Sequence, residues 1–343
     1  MRVPASYCGV YGMKPSYGML SRWGVVSYAD TLDTVGILAR NIGDVRQVFD
    51  VLALEDERDA TCIHEAMRLR LDAQVERILA RIPSRLDGLR VGIVKEMYPR
   101  EVDSRTLDIV DDVLDHMQSL GATLVPLSVP AIKKSVSAYY ILSLSEASSN
   151  LGRFDGIRFG ARMKHTSSTF HDEIAKNRSY GFGDEVKRRI LLGTYALTSE
   201  AWESHHLVAT RIRQGILRGY QACWSTQDLR WPEPTGNEEH GVDVVVQPTA
   251  LSVAPRLDEP VSSEYAADVL TFAANLAGLP ALSAPASRTI SMDEDPSVHL
   301  PVGVLFKAQW GHDKLLFHIL EQLNQHTDVF LSLIHISEPT RPY

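Results

Sequence analysis

LRVGIVK, at residues Leu89–Lys95, is the stretch of sequence that decides the class of fold. It follows the turn dipeptide Asp87-Gly88 and is rich in β-branched residues, so it predicts a strand. Helically spaced apolar residues then run from Ser104 to Leu120, and a second apolar run follows at Thr123–Val129. A strand, a helix and a strand in this order predict a β-α-β unit with parallel neighbouring strands.

The same alternation continues towards the C-terminal part of the sequence. We predict strands at Val242–Val246, Ala281–Pro285 and Val302–Lys307, and helices at about Ser263–Ala277 and His312–Gln325. Alternating strands and helices predict an α/β fold in which helices cover the faces of the sheet. Between them, Ser225–His240 contains two prolines and many polar residues, which is typical of a surface insertion.

The composition limits the classes of function. The 343 residues include 35 Lys and Arg against 43 Asp and Glu, which gives a formal charge of -8. The chain therefore lacks the overall positive field that binds phosphate backbones, and we expect a partner to make most contacts with any nucleic acid. No apolar run reaches the roughly 18 residues of a membrane span, so no membrane association is predicted.

The sequence contains no nucleophile elbow, zinc-protease motif, P-loop or dinucleotide-binding motif. The cysteines Cys8, Cys62 and Cys223 are too few and too scattered for a disulfide framework or a zinc site, and we interpret Cys8 as a buried apolar filler. His205-His206 and His171-Asp172-Glu173 lack the spacing that places metal ligands on one helix face. We interpret both as solvated helix surface, and no metal site is predicted.

A family resemblance is carried by the opening segment Arg2–Gly18, which reads RVPASYCGVYGMKPSYG. This segment resembles the end of the amidase signature and the residues that follow it in the amidase family. Similar blocks occur at Ser21–Val26 and Leu32–Arg40. Further blocks resemble one branch of the family, the A subunits of glutamyl-tRNA(Gln) amidotransferases, and these lie at Glu146–Leu151, Arg153–Arg158 and Gly181–Ile190.

This resemblance extends from Arg2 to about Gln325 and implies a fold and an activity. The implied fold is an α/β/α sandwich on a mixed, twisted sheet, with residues 1–327 as the C-terminal part of one amidase domain. The implied reaction hydrolyses glutamine through an acyl-enzyme and passes ammonia to a partner subunit, which amidates the glutamate attached to tRNA(Gln). The implied partners are the B and C subunits, or their organellar equivalents. The partner subunit uses ATP and magnesium, the chain itself binds no cofactor, and the implied location is the mitochondrial matrix.

The resemblance also implies that the catalytic residues are absent from this chain. In the family, a nucleophilic serine two residues before the signature arginine is activated through a second serine, held in a cis peptide, and a lysine. Arg2 matches the signature arginine, so all three would precede Met1, and we expect the chain alone to be inactive. At the other end, LSLIHISEPTR at Leu331–Arg341 matches a translated sequencing adapter, and we expect residues 328–343 to be a non-native tail.

Three residues match family positions that bind the glutamine substrate. By this match, Arg189 would bind the α-carboxylate, Asp268 would bind the α-ammonium, and Tyr139 would contact the substrate. The residue types suit the chemistry, because an amino acid needs a forked cation and a carboxylate. Without the resemblance, each residue has an ordinary role: Arg189 pairs with Glu185 on a helix surface, Asp268 is an acid on a helix, and Tyr139 lies at the edge of the core.

Two other functions stay open at this point. One is a stand-alone amidase of the same family that acts on another small amide. The other is a non-catalytic scaffold that only binds partners. The block at Glu146–Arg158 and the residues Arg189 and Asp268, which suit an amino-acid head group, favour the amidotransferase branch over the stand-alone amidase.

Overall fold

The structure, a computed structural model, describes residues 1–82, 84–164, 169–256, 268–292 and 297–330. Packing divides these residues into two units. Unit 1 comprises Met1–Trp23, Thr34–Lys133 and the described residues from Ile216 onward, and unit 2 comprises Gly24–Asp33 and Lys134–Gly215. No helix within these described ranges is long and apolar enough to cross a membrane.

Unit 1 contains one mixed sheet, to which seven strands contribute in the described residues. In chain order these are β1 Tyr11–Lys14, β2 Ile37–Ala39, β3 Arg90–Val94, β4 Thr123–Leu127, β5 Val244–Pro248, β6 Ala281–Ser291 and β7 His299–Ala308. Their order across the sheet is β2-β1-β6-β7-β5-β3-β4. Strand β3 is parallel to β4 and β5, and the other neighbouring pairs are antiparallel. The predicted α/β fold on a mixed sheet is confirmed.

The helices are distributed over both units. Unit 1 has α1 Arg2–Cys8, α2 Ile42–Leu52, α3 Glu65–Ala80, α4 Ser104–Ser119, α10 Phe272–Ala277 and α11 Asp313–His326. Unit 2 has α5 Ser135–Asn150, α6 Phe170–Gly181, α7 Asp184–Ala196 and α8 Ser199–Ala201, followed by a π-helical turn at Trp202–His206. Helix α9 is Leu207–Cys223, and short 3-10 turns occur at Lys95–Met97, Pro130–Lys134 and Leu151–Arg153.

Strand β3, helix α4 and strand β4 form the predicted β-α-β unit. The two strands pair in parallel, with Val91 opposite Leu124. Helix α4 begins where the Asp103 carboxylate accepts a hydrogen bond of 2.9 Å from the backbone N–H of Arg105, which satisfies one of the free donors of the first turn. Helically spaced apolar side chains then bury one face of α4, and these are Ile109, Val110, Val113, Leu114 and Met117.

Several boundaries differ from the predicted ones because of contacts between distant residues. Strand β5 begins at Val244 and not at Val242, since Val242 forms an isolated bridge with Trp224. Strands β6 and β7 are longer than predicted because they pair with each other along most of their length. In the described residues, helix α10 begins at Phe272 after a turn at 268–271, while residues 263–267 of the predicted helix lie outside the described residues.

The interpretation of Cys8 as a buried filler is wrong. Helix α1 buries Arg2, Val3, Ala5 and Ser6, whereas Cys8 is exposed. Residues 2, 5 and 6 share one face of a helix with 3.6 residues per turn, and residue 8 falls outside that face. The local pattern of small residues therefore did not indicate which side of the helix would meet the sheet.

The segment Ser225–His240, which we predict to be a surface insertion, contains neither helix nor strand. Its first part is not at the surface, because Ser225 and Asp228 are buried. The Asp228 carboxylate accepts hydrogen bonds from Arg230, whose Nη1 also donates to the carbonyl oxygen of Ala277 (3.0 Å). Residues 231–234 and 236–240 are exposed, so the exposed part of the segment is shorter than the predicted insertion.

Candidate substrate-binding site

The three predicted substrate-binding residues are divided between the two units. Tyr139 and Arg189 belong to unit 2, and Asp268 belongs to unit 1.

Arg189 lies on helix α7 and is held on two sides of its guanidinium group. Its Nε donates to Oε1 of Glu185 at 2.7 Å, and its Nη1 donates to the hydroxyl oxygen of Tyr28 at 3.1 Å. The side chain is 39% exposed, so it is accessible to a solute. In the part of the chain that the structure describes, Nη2 contacts no acceptor. The i,i+4 pair expected from sequence is thus present, and Tyr28 is an additional partner.

The charges of this pair are mutually stabilised. The hydrogen bond to Glu185, helped by that to Tyr28, raises the pKa of Arg189 further above neutrality. The hydrogen bond from Arg189 lowers the pKa of Glu185. Glu185 also lies in the first turn of α7, where a negative charge interacts favourably with the helix dipole. Arg189 therefore presents a permanent positive charge.

Tyr139 lies on helix α5 and is half-buried. Its ring packs edge to face against Tyr140, with 5.6 Å between the ring centroids. Helices α5 and α7 approach closely at Gly193, where an added Cβ would lie 1.9 Å from the carbonyl oxygen of Leu144. Glycine at this position therefore allows the helices that carry Tyr139 and Arg189 to pack directly on each other.

Asp268 lies in a turn that precedes helix α10, and its side chain is half-buried. The expectation of an acid on a helix is wrong for Asp268 itself. Its carbonyl oxygen accepts from the backbone N–H (2.8 Å) and the hydroxyl (2.9 Å) of Thr271. Burial raises the pKa of Tyr7, and the negative charge of Asp268 raises it further. The Asp268 carboxylate therefore interacts electrostatically with Tyr7 of helix α1. Gln247 connects this turn to strand β5, because its Nε2 donates to the carbonyl oxygen of Leu270 at 2.8 Å.

Polar side chains of the opening segment are buried in unit 1. Nη2 of Arg2 donates to Oδ1 of Asn275 at 2.7 Å, and the Ser6 hydroxyl accepts from the backbone N–H of Gly303 at 2.8 Å. Lys14 donates to the carbonyl oxygen of Pro15 at 2.7 Å. Burial, with a contribution from Arg2, lowers the pKa of Lys14 to about 7. The segment that carries the family resemblance is therefore part of the core beside β6 and β7.

His205 and His206, which lack the sequence spacing of metal ligands, make ring contacts in unit 2. His206 stacks on Trp202 with 4.3 Å between centroids, and His205 packs edge to face against Tyr195 at 5.7 Å. Within the described ranges, no three His, Cys, Asp or Glu side chains converge as a metal site would require.

Sequence reasoning missed Tyr28. It precedes Arg189 by 161 positions, and no local pattern marks it as a partner of an arginine. The nearest signal in the sequence is its place between Ser21–Val26 and Leu32–Arg40, the two blocks with family resemblance. That signal places Tyr28 in a segment with family resemblance, but it does not indicate the contact with Arg189.

The chain is similar to known proteins of one family. The amidase family matches residues 1–317 of the chain. The A subunit of the mitochondrial glutamyl-tRNA(Gln) amidotransferase of Mycosarcoma maydis is 41% identical over 337 residues, which cover 94% of this chain and 61% of that protein. The A subunit of the glutamyl-tRNA(Gln) amidotransferase of a Synechococcus strain is 36% identical over 334 residues, which cover 96% of this chain and 62% of that protein.

A solved structure shares the fold. The crystal structure of the A subunit of glutamyl-tRNA(Gln) amidotransferase from Thermotoga maritima superimposes with a TM-score of 0.65 at 26% sequence identity, covering 96% of this chain and 61% of that one. The chain thus spans about three fifths of the length of the relatives it matches. Since the family match includes residues 1–317 of 343, this chain belongs to the amidase family.

Proposed function

We propose that the chain is part of the glutamine-hydrolysing A subunit of a glutamyl-tRNA(Gln) amidotransferase. The observation that carries the proposal is the guanidinium of Arg189, which Glu185 and Tyr28 hold while Nη2 contacts no acceptor in the described residues. A held, accessible forked cation suits the α-carboxylate of an amino acid. The identity of 41% with the Mycosarcoma maydis protein supports the same reaction here.

Each of the three residues has a proposed role in binding glutamine. Arg189 binds the α-carboxylate, because its Nη2 has N–H groups to donate. Asp268 binds the α-ammonium, since a half-buried carboxylate attracts a cation more strongly than an exposed one does. Tyr139 contacts the substrate from helix α5, and its partly exposed ring supplies an apolar surface for the side chain of glutamine.

The proposal extends to the assembly in which the protein works. Glutamine is hydrolysed, and the ammonia passes to a partner subunit that uses ATP and magnesium to amidate glutamate on tRNA(Gln). We propose the B and C subunits, or organellar equivalents, as the partners. The relatives are named as single subunits of a larger enzyme, which supports an assembly of several chains. The relatives from Mycosarcoma maydis and Candida albicans are named as mitochondrial proteins, which supports a mitochondrial location, the matrix being the compartment we propose.

The test is Arg189→Lys in the full-length protein, assembled with its partners. Lysine keeps the charge and loses the fork, so kcat/KM for glutamine should fall by roughly 30- to 1000-fold, equivalent to about 2–4 kcal/mol. The matched control is Arg188→Lys on the same helix, because Arg188 also donates to Glu185 (2.9 Å) and has no proposed role in binding. Amidation supported by free ammonium should be unchanged in both variants.

Asp268→Asn tests the ammonium site in the same assay. We expect a loss of glutamine-dependent activity similar to that of Arg189→Lys, with ammonium-dependent activity retained, because ammonia needs neither residue. A parallel fall of both activities would show that these residues support the fold or a subunit interface, and the binding assignment would be wrong. An assembled wild-type protein that hydrolyses other small amides but not glutamine would favour a stand-alone amidase.

A further inference from the structure

The contact between Tyr28 and Arg189 joins a loop to the helix that carries the proposed carboxylate-binding group. Arg189 reaches Glu185 one turn before it on the same helix, and that pair alone leaves the guanidinium on an exposed surface. Exposed i,i+4 pairs hold their side chains weakly. The hydroxyl oxygen of Tyr28 fixes the other end of the group, since it accepts from Nη1 at 3.1 Å.

Tyr28 is held in place by hydrogen bonds between its backbone groups and two other side chains. The Asp33 carboxylate accepts from the backbone N–H groups of Tyr28 (2.9 Å) and Ala29 (3.0 Å). Nδ2 of Asn150, at the end of helix α5, donates to the carbonyl oxygen of Tyr28 at 3.2 Å. Both polar groups of the Tyr28 backbone are thereby satisfied, which restricts the directions that its side chain can take.

Thr31 connects the same loop to Glu146 on helix α5 and to Arg213 in the part of helix α9 that belongs to unit 2. Glu146, on α5, accepts from the Thr31 backbone N–H (2.9 Å) and from its hydroxyl (2.5 Å). Arg213, on α9, donates to the Thr31 hydroxyl (2.6 Å) and carbonyl oxygen (2.9 Å). The charged side chains of Glu146 and Arg213 thus hold the loop Gly24–Asp33 in place. The Tyr28 hydroxyl is therefore in position before a ligand binds.

We propose that Tyr28 is a positioning residue that orients Arg189 for binding the α-carboxylate of glutamine. The inference rests on the proposed function, because it names the group that prepares the proposed carboxylate site. Tyr28 takes one N–H of Nη1 and leaves the N–H groups of Nη2 for the ligand. A cation held in advance loses less conformational entropy when the ligand binds, so the effect appears in substrate affinity.

The experiment replaces Tyr28 by Phe in the assembled, full-length protein. Phenylalanine keeps the ring and removes only the hydroxyl, so the KM for glutamine should rise by roughly 5- to 30-fold while kcat changes less than about 2-fold. Ammonium-dependent amidation should be unchanged. The matched control is Tyr195→Phe, an exposed tyrosine on helix α7 whose hydroxyl has no proposed role. The control should keep the wild-type KM.

A double variant separates positioning from general stabilisation. In Arg189→Lys the Nη1 group is gone, so adding Tyr28→Phe should cause little further loss. Additive losses, an unchanged KM in Tyr28→Phe, or a parallel loss of ammonium-dependent activity would each overturn the inference. These outcomes are distinct from failure of the proposed function, in which the wild-type assembly itself shows no glutamine-dependent activity.

Discussion

Lys307 is buried in strand β7, and we expect its replacement by methionine to stabilise the protein. The side chain has no exposed surface, and Nζ donates to the hydroxyl oxygen of Tyr220 at 2.6 Å. In the described residues, Nζ makes no ion pair with a carboxylate. Burial, with a smaller contribution from Arg2, lowers the pKa of Lys307 well below its ordinary value. Burial without an ion pair therefore favours the neutral amine in the folded state.

The magnitude follows from the cost of neutralising the amine. An unfolded lysine has a pKa near 10.4, and removing its proton at pH 7 costs about 4–5 kcal/mol at ~1.4 kcal/mol per unit. Lys307→Met removes this cost and keeps a long, flexible, apolar side chain. The substitution also loses a hydrogen bond and leaves the buried Tyr220 hydroxyl without that partner, which costs about 1–3 kcal/mol. We expect a net gain of about 1–4 kcal/mol.

The pH dependence of stability tests whether the cost of neutralising the Lys307 amine causes the effect. Above the folded pKa of Lys307 and below about 10.4, the unfolded state binds one more proton than the folded state, so wild-type stability rises with pH by up to about 1.4 kcal/mol per unit. The advantage of Lys307→Met over wild type must therefore shrink as pH rises. Burial raises the pKa of Cys223 to about 11, and its titration opposes this trend at alkaline pH. Measurements between pH 6 and 8.5 avoid that complication.

The assay is urea denaturation of the wild-type and variant chains at several pH values in that interval. Lys314→Met is the control, because Lys314 is exposed and pairs with Asp72 at 2.7 Å on the surface. The control should change stability by less than about 1 kcal/mol at every pH. A Lys307→Met variant that is less stable than wild type by the same amount at every pH would show that Lys307 is a charged, paired group. The reasoning from burial would then be wrong.

Urea denaturation also tests one packing contact, with a glycine control, and one buried hydrogen-bonded carboxylate. Gly193→Ala should destabilise the chain by about 2 kcal/mol or more, because the new Cβ would overlap the Leu144 carbonyl oxygen, whereas Gly181→Ala, where nothing lies within 4 Å, should be neutral or slightly stabilising. Equal effects of the two would contradict the close helix approach. Asp313→Ala should cost about 1–3 kcal/mol, because the buried Asp313 carboxylate accepts from the backbone N–H (2.8 Å) and hydroxyl (2.6 Å) of Ser16. An unchanged midpoint would show that this contact contributes nothing.

The sequence alone predicts the elements whose signals are local. The turn before Leu89, the helical pattern from Ser104 and the second apolar run from Thr123 predict the β-α-β unit, which the structure confirms. Local spacing also predicts the pair of Glu185 and Arg189, because residues four apart meet on one helix face. The mixed sheet came from the family resemblance and is confirmed. The binding roles of Arg189, Asp268 and Tyr139 stay predictions.

Only the tertiary structure determines the features that depend on distant contacts. The partnership of Tyr28 with Arg189 spans 161 positions, and the burial of Lys307 against Tyr220 spans 87. The exposure of Cys8 depends on which face of helix α1 meets the sheet. Periodicity reports the neighbours of a residue within its own helix or strand. It carries no information on which elements the topology brings together, and therefore none on which distant side chain orients a binding residue.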